Sequence, residues 1–127
     1  MTIRNLNYLF APRSVALIGA SPRAGSVGAT VMKNLMEGGF SSPIFLVNPK
    51  HAQIDGHRCY TSIAELPEVP DLAVLATPSE TIVDLVRELG ALGTRAVVAL
   101  AAGVGDKKKD MLAAAQPTCL RILGPNC

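Results

Sequence analysis

Short apolar runs recur along the chain at an even spacing and predict five β-strands. The first four are almost unbroken successions of Val, Leu, Ile, Phe and Ala, without the alternation of apolar and polar residues that marks a half-exposed strand. Such runs are typical of a parallel sheet that is covered on both faces. The predicted strands are Val15–Ile18, Ile44–Val47, Leu72–Ala76, Ala96–Leu100 and Leu120–Leu123.

Two clear helical patterns lie between these strands. Each places apolar residues three and four positions apart, so that they share one face of a helix. The first predicts a helix over Val27–Met36, ended by Gly38, and the second a helix over Ile82–Leu89, ended before Gly90. The run Thr77-Pro78-Ser79-Glu80 is similar to a capping box with proline at the first helical position and predicts the start of the second helix.

The resulting order of elements is β-α-β-(loop)-β-α-β-α-β, with a third, weaker helix over 106–115 and a short leading helix at Leu6–Phe10. Right-handed crossovers convert this order into a doubly wound, Rossmann-like α/β domain with a mostly parallel, five-stranded sheet. The crossover 51–70 lacks a full helix: Asp55-Gly56 predicts a turn, and Ser62–Leu66 predicts one helical turn.

Composition narrows the class of protein. The chain has 127 residues, 49% of them hydrophobic, and a formal charge of +2, which suits one folded domain and excludes disorder. No stretch of about 18 apolar residues is free of charge, and the low charge gives no electrostatic footprint, so we expect neither a membrane nor a nucleic-acid partner. Three cysteines without CxxC spacing argue against disulfides and zinc, and the N-terminus lacks the apolar core of a signal peptide. A reducing, cytoplasmic setting is predicted.

A glycine-rich turn, Gly19–Gly28, joins the first predicted strand to the first helix. The turn from a strand into a helix is where α/β sheets bind phosphate groups, because backbone N–H groups at the helix start point toward the anion. We favour a ligand site here over the alternative, a tight turn with no ligand.

The sequence around this turn limits the choice of ligand. Gly19 and Gly25 are too far apart for the GxGxxG dinucleotide motif, and no Lys-Ser/Thr pair completes a Walker A motif. The second strand closes with Val47-Asn48-Pro49-Lys50, which has no acidic residue for ribose hydroxyls. Lys50 would instead attract a phosphate on the ribose, which disfavours NAD and leaves NADP or coenzyme A. The alternative for Lys50 is an ordinary exposed lysine.

Motifs along nearly the whole chain, in order and spacing, resemble the CoA-binding domain of ADP-forming acyl-CoA synthetases. The same domain opens the α-subunit of succinyl-CoA synthetase and bacterial protein lysine acetyltransferases that carry a GNAT domain. The matching segments are Leu9–Ser21, Gly25–Gly28, Asn34-Leu35, Gly38–Phe40, Val47–Lys50, Gly56, Leu66-Pro67, Pro70–Val74, Ala76–Pro78, Gly103 and Gly124–Cys127.

The resemblance implies a role for each matched position. The segment Ser21–Val27 would lie along the CoA pyrophosphate, and Lys50 would lie near the 3′-phosphate. The segment Thr77–Ser79 would line the pantetheine or adenine path, and Ala101–Gly103 would edge the site. The candidate cofactor-binding residues are Gly19, Ala20, Ser21, Arg23, Gly25, Ser26, Val27, Gly28, Asn48, Pro49, Lys50, Thr77, Pro78, Ser79, Ala102 and Gly103.

The resemblance also implies that the chemistry lies elsewhere. In the family a histidine of a following domain carries a phosphoryl group, and an ATP-grasp region supplies ATP and Mg, so residues 1–127 are expected to be the N-terminal CoA-binding domain of a longer enzyme. We identify no catalytic residue and no metal ligand, interpret His51 and His57 as surface residues, and interpret Cys59 as a packed apolar group. The predicted function is binding of coenzyme A or acyl-CoA for an ADP-forming acyl-CoA synthetase. The alternatives are a regulatory domain of a GNAT-type lysine acetyltransferase, a binding-only regulatory module and an NADP-binding oxidoreductase domain.

Overall fold

Seven strands and two α-helices are found in the part of the chain that the structure, a computed structural model, describes: residues 13–38, 43–100 and 121–123. Two short 3-10 turns, Ile63–Glu65 and Ser79–Thr81, complete it. The strands are β1 (Val15–Ile18), β2 (Ile44–Val47), β3 (Gln53–Ile54), β4 (His57–Tyr60), β5 (Leu72–Leu75), β6 (Ala96–Ala99) and β7 (Arg121–Leu123), and the helices are α1 (Val27–Glu37) and α2 (Ile82–Leu92).

The strands form one sheet in the order β3-β4-β2-β1-β5-β6-β7. Six of them run parallel, and only β3 runs antiparallel, to its neighbour β4. The chain builds the sheet outward from β1 through β2 to β4, and then returns to the other side of β1 to add β5 and the following strands. The side on which new strands are added therefore reverses between β1 and β5, as in a doubly wound dinucleotide-binding fold.

The two helices cover opposite faces of this sheet. Met32 of α1 belongs to one buried cluster together with Leu17 and Leu46, whereas Val86 of α2 belongs to a second cluster with Leu75. Because successive residues of a strand point to opposite faces, a strand between two helix layers is apolar at every position. All four residues of β1 are buried, which confirms the predicted doubly wound α/β class.

The sheet has two strands more than the predicted five, because the crossover 51–70 contains a hairpin. Asp55 and Gly56 occupy the predicted turn with φ of 50° and 81°. Two successive residues with positive φ are the signature of the tight turn that joins antiparallel strands. The strands escaped prediction because β3 has two residues and β4 begins with His57-Arg58, which breaks the apolar pattern.

Helix α1 ends at Glu37 and is capped by Gly38 as predicted, whereas the bounds of α2 differ from the prediction. The chain makes a 3-10 turn over Ser79–Thr81 before α2, so the capping box does not start the α-helix itself. The helix then continues through Gly90, which is buried, and ends at Gly93 in the left-handed conformation with φ of 106°. The predicted helices at 6–10 and 106–115, and residues Ala102 and Gly103, lie outside the described residues.

Hydrogen bonds around one carboxylate join the amino ends of β1, β5 and β6. Oδ2 of Asp71 accepts from the backbone N–H and the Nε of Arg13, at 2.9 and 3.0 Å. The Asp71 N–H donates to Oγ of Ser14, and the Asp71 carbonyl accepts from the N–H groups of Arg95 and Ala96. Burial alone would raise the pKa of Asp71, but the hydrogen bonds and charge of Arg13, helped by Arg95, outweigh burial and lower the pKa.

Candidate ligand-binding cleft

A cleft of about 420 Å³ opens at the carboxyl ends of β1, β5 and β6. It lies over the point between β1 and β5 where the strand order reverses, which is where an open α/β sheet offers a crevice to ligands. The lining residues are Gly19, Ser21, Arg23, Ser26, Val27, Gly28, Ala76, Thr77, Pro78 and Leu100.

Two glycines allow the backbone to form the floor of this cleft. Gly19 ends β1 with φ of 100°, and a Cβ built on it would lie 2.7 Å from the Ala76 carbonyl oxygen. A Cβ built on Gly28 would lie only 2.0 Å from the Gly19 carbonyl oxygen. A side chain at Gly19 would push the end of β1 away from the end of β5, and one at Gly28 would push the first turn of α1 away from the end of β1. Both glycines therefore allow the backbone segments around the cleft to approach one another.

Hydrogen bonds within the turn hold two of its serines. Oγ of Ser26 donates to the Arg23 carbonyl at 2.8 Å and accepts from the Ala29 N–H at 3.1 Å, which makes Ser26 the N-cap of α1. Because its one proton is used, the Ser26 hydroxyl has no further proton to donate to a ligand. Oγ of Ser21 accepts from the Arg23 N–H at 3.1 Å and keeps its proton for a ligand in the cleft.

The start of α1 is suited to an anion. The first N–H groups of a helix have no carbonyl one turn earlier to bond, and the Ser26 side chain serves only that of Ala29. The N–H groups of Val27 and Gly28, which line the cleft, are left for a ligand. The first turn of α1 contains no acidic residue, so no carboxylate competes for the positive end of the helix dipole.

On the β5 side, the cleft is lined by Thr77 and Pro78. Oγ1 of Thr81 donates its one proton to the Pro78 carbonyl at 2.7 Å and lies 2.8 Å from Oγ1 of Thr77. Thr77 therefore donates to Thr81, and its hydroxyl offers a ligand only an acceptor lone pair. Ser79, the next predicted site residue, begins the 3-10 turn that follows. The lining also includes Ala76 and Leu100, which were missed as site residues. They end two predicted strands, and the rule that ligands bind at strand carboxyl ends could have found them.

The loop after β2 lies beside the glycine turn. Nδ2 of Asn48 donates to the Ala20 carbonyl at 2.7 Å, and Oδ1 of Asn48 accepts from the Lys50 N–H at 2.8 Å. The Lys50 side chain is exposed. Among the described candidates, Ala20, Gly25, Asn48, Pro49 and Lys50 are not among the residues that line the cleft.

The other polar candidates form no further site in the described ranges. His57 is exposed, His51 is half-buried, and Cys59 is buried in the core, which confirms its packing role. Burial raises the pKa of the Cys59 thiol, partly offset by a backbone hydrogen bond with Asn48. Among residues 13–38, 43–100 and 121–123, no three His, Cys, Asp or Glu side chains cluster to hold a metal ion. In the same ranges, neither α1 nor α2 has the length and apolar character of a membrane-spanning helix.

Comparisons with known proteins identify the family. A family model described as CoA binding domain matches residues 13–127. Trans-feruloyl-CoA synthase FCS1 from an unknown prokaryotic organism is 43% identical over 131 residues, covering 98% of this chain and 18% of that protein. Acetate–CoA ligase [ADP-forming] I from Archaeoglobus fulgidus is 36% identical over 129 residues, covering 96% of this chain and 18% of that protein.

A solved structure agrees with these relatives. The apo form of the dinucleotide forming acetyl-coenzyme A synthetase 1 of Ca. Korarchaeum cryptofilum superposes with a TM-score of 0.88 at 28% identity, covering 95% of this chain and 28% of that chain. The chain thus spans about a fifth of the length of the two curated relatives, 18% of each. These matches do not favour the oxidoreductase and acetyltransferase alternatives. The chain belongs to the CoA binding domain family and is homologous to part of the ADP-forming acyl-CoA synthetases.

Proposed function

We propose that this chain binds coenzyme A or acyl-CoA as the N-terminal domain of a longer ADP-forming acyl-CoA synthetase. The complete enzyme would convert a carboxylic acid, ATP and CoA into acyl-CoA, ADP and phosphate. The observation that carries the proposal is the cleft at the β1–β5 reversal, in which the start of α1 offers the N–H groups of Val27 and Gly28. The length of the relatives supports a longer enzyme, because this chain covers only 18% of each.

The pyrophosphate of CoA would lie over the glycine turn. Its oxygens would accept from the N–H groups of Val27 and Gly28 and from the Ser21 hydroxyl, all at the cleft. The exposed Arg23, also in the lining, would add a cationic contact. An anion at a helix start is stabilised by the partial positive charge there, about half a unit charge.

The remaining parts of CoA would extend to the neighbouring strands. Lys50 would attract the 3′-phosphate, with Asn48 and Pro49 placing it beside the turn. The segment Thr77–Ser79 would line the pantetheine or adenine path, and Ala102 and Gly103 would edge the site after the fourth predicted strand. The β2 loop and the β5 turn lie on opposite sides of β1, so the cofactor would cross the sheet edge above β1.

The proposed chemistry belongs to other domains of the same polypeptide. A phosphohistidine domain and an ATP-grasp region would handle ATP and Mg in the cytoplasm, and this chain would present the CoA thiol to them. Because we assign no nucleophile and no base to this chain, we expect it to bind ligand without turning over acid, ATP and CoA.

Calorimetry of the 127-residue chain with CoA, NADP and NAD, side by side, tests the proposal. We expect binding of CoA and weak or no binding of NAD and NADP. Tighter binding of NADP than of CoA would contradict the proposal and favour the oxidoreductase alternative. The coding sequence downstream tests the longer enzyme: an ATP-grasp region supports it, whereas a GNAT domain without one would favour the acetyltransferase.

A further inference from the structure

The side chain of Asn48 connects the two loops that the proposed function assigns to phosphate binding. Asn48 follows β2 directly, and its amide is half-buried between the loops. Nδ2 donates to the Ala20 carbonyl in the glycine turn at 2.7 Å, and Oδ1 accepts from the Lys50 N–H at 2.8 Å. One planar group therefore contacts both loops at once.

The backbone around Asn48 is also fixed. Its N–H donates to the Tyr60 carbonyl at the end of β4, at 2.9 Å, while the N–H of Gly19 donates to the Val47 carbonyl at 2.9 Å. The bond from the Lys50 N–H to Oδ1, two residues back, closes an Asx turn, and Pro49 inside that turn has a restricted φ. Lys50 consequently starts from a defined backbone position although its side chain is exposed.

Only an amide satisfies both contacts. An aspartate at this position would accept from Lys50 but would have no proton for the Ala20 carbonyl. A serine would imitate the Asx turn more weakly and, being shorter, would not reach across to Ala20. The amide keeps one N–H and one lone pair, but both of the contacts it makes are internal to the protein.

We infer that Asn48 is a positioning residue that sets the distance between the glycine turn and Lys50, and thereby the preference for CoA over CoA lacking its 3′-phosphate. This inference rests on the proposed function, because it requires that Lys50 meets the 3′-phosphate. Asn48 would not contact the ligand itself but would affect how well the site distinguishes CoA from CoA lacking its 3′-phosphate. Loss of the amide would let Lys50 move away from the phosphate while the glycine turn kept its own contacts.

The test is the ratio of the dissociation constants of dephospho-CoA and CoA, measured by calorimetry on the 127-residue chain. In the wild type we expect a ratio of about ten to a hundred, the size of a charge-assisted contact. Lys50→Ala lowers the ratio to near one. Asn48→Ala lowers it at least threefold, and the double variant has the same ratio as Lys50→Ala alone. Asn34→Ala, an exposed asparagine on α1, leaves the ratio unchanged.

Several results would overturn the inference. If Asn48→Ala weakened both ligands equally and kept the wild-type ratio, Asn48 would contact the shared part of the ligand or support the fold in general. A wild-type ratio near one would also overturn it, since Lys50 would then meet no phosphate. If the alanine variant does not fold, Asn48→Ser, which keeps an acceptor for Lys50, replaces it in the test. We expect its ratio to lie between those of the wild type and Lys50→Ala. A wild type that binds no CoA would instead refute the proposed function itself.

Discussion

The two edges of the central sheet are built in contrasting ways. At the amino edge, the polar groups of Arg13, Ser14 and Asp71 bond to one another, and the Asp71 side chain is only 10% exposed. At the carboxyl edge, Gly19 and Gly28 bring the backbone close, and the N–H groups at the start of α1 line an open cleft. The first edge uses its donors internally, whereas the second keeps several for a ligand.

The contrast shows how the topology separates stability from binding. All parallel strands begin at the same edge of the sheet, and hydrogen bonds between the starts of neighbouring strands stabilise that edge. The parallel strands end at the opposite edge, and α1 and α2 begin there after β1 and β5, so that edge collects partial positive charge. We expect substitutions at the amino edge to change stability alone. Those at the carboxyl edge should change affinity, with a loss of stability as well where the backbone is too close or has a positive φ.

Gly28→Ala should change both affinity and stability, and it has the largest expected effect. The new Cβ would lie 2.0 Å from the Gly19 carbonyl oxygen, so either α1 or the end of β1 must move. We expect a loss of about 3 kcal/mol in the free energy of unfolding, measured by denaturant titration, together with a loss of CoA binding. Thr30→Ala, at an exposed position in the same helix, is the control. Wild-type stability and affinity in Gly28→Ala would refute the close approach.

Lys50→Ala tests the carboxyl edge through affinity alone. Removing a charge-assisted contact to the 3′-phosphate should weaken CoA about ten- to a hundredfold and leave dephospho-CoA nearly unchanged. The difference should shrink as salt rises, because Lys50 is exposed and its charge is screened. Calorimetry at several ionic strengths measures this, with exposed Lys33→Ala as the control. Equal losses of affinity for the two ligands would show that Lys50 stabilises the loop rather than binding the 3′-phosphate.

Asp71→Asn tests the amino edge through stability. Its hydrogen bonds with Arg13 should contribute about 1.5 kcal/mol, the low end for charged groups because the Arg13 side chain is 78% exposed. The folded state lowers the pKa of Asp71, so the contribution is present above the ordinary carboxyl range and is lost as pH falls through the folded-state pKa. Denaturant titrations should therefore show wild type and variant converging in acid.

An exposed ion pair provides the control for Asp71. Asp84 and Arg87 on α2 lie 3.1 Å apart, nearly the same distance as Arg13 and Asp71, but the Asp84 side chain is 84% exposed. Asp84→Asn should change stability very little at any pH, since exposed pairs contribute little. If Asp71→Asn had an equally small effect, or weakened CoA in the folded chain, the separation of the two edges would be wrong.

The sequence predicted the parts of the molecule that follow from local pattern. All five predicted strands are present, because a continuous apolar run has few alternatives in a covered sheet. The hairpin strands β3 and β4 were missed because they are short and polar at their start, although the Asp55-Gly56 turn was recognised. The predicted end of α2 was wrong because Gly90 and Gly93 are both suited to end the helix. Only tertiary packing, which buries Gly90 within the helix, decides that Gly93 is the C-cap.

For the site, too, the sequence predicted only the features that depend on local pattern. The glycine turn was predicted from its place between a strand and a helix, and Gly19 and Gly28 line the cleft. What sequence could not show is how the hydroxyl and amide groups are used. The Ser26 hydroxyl donates its only proton to the Arg23 carbonyl, and the Asn48 amide hydrogen-bonds to both the glycine turn and the loop after β2. Such contacts depend on three-dimensional distances that residue type alone does not reveal.

Gly25→Ala and Gly56→Ala together give the smallest and most closely matched test of the two edges. Gly25 has φ of 84° in the turn at the carboxyl edge, and Gly56 has φ of 81° in the hairpin turn at the amino edge. A Cβ at either position would meet no atom within 4 Å, so the cost of each substitution is that of the positive φ, about 1 kcal/mol. Thermal unfolding should show equal destabilisation of the two variants. Calorimetry should show a several-fold weaker affinity for CoA in Gly25→Ala only, since the strain there displaces the residues leading into Ser26 and Val27. Equal affinities in the two variants would mean that the glycine turn tolerates strain without disturbing the start of α1, and that the cleft depends on Gly19 and Gly28 alone.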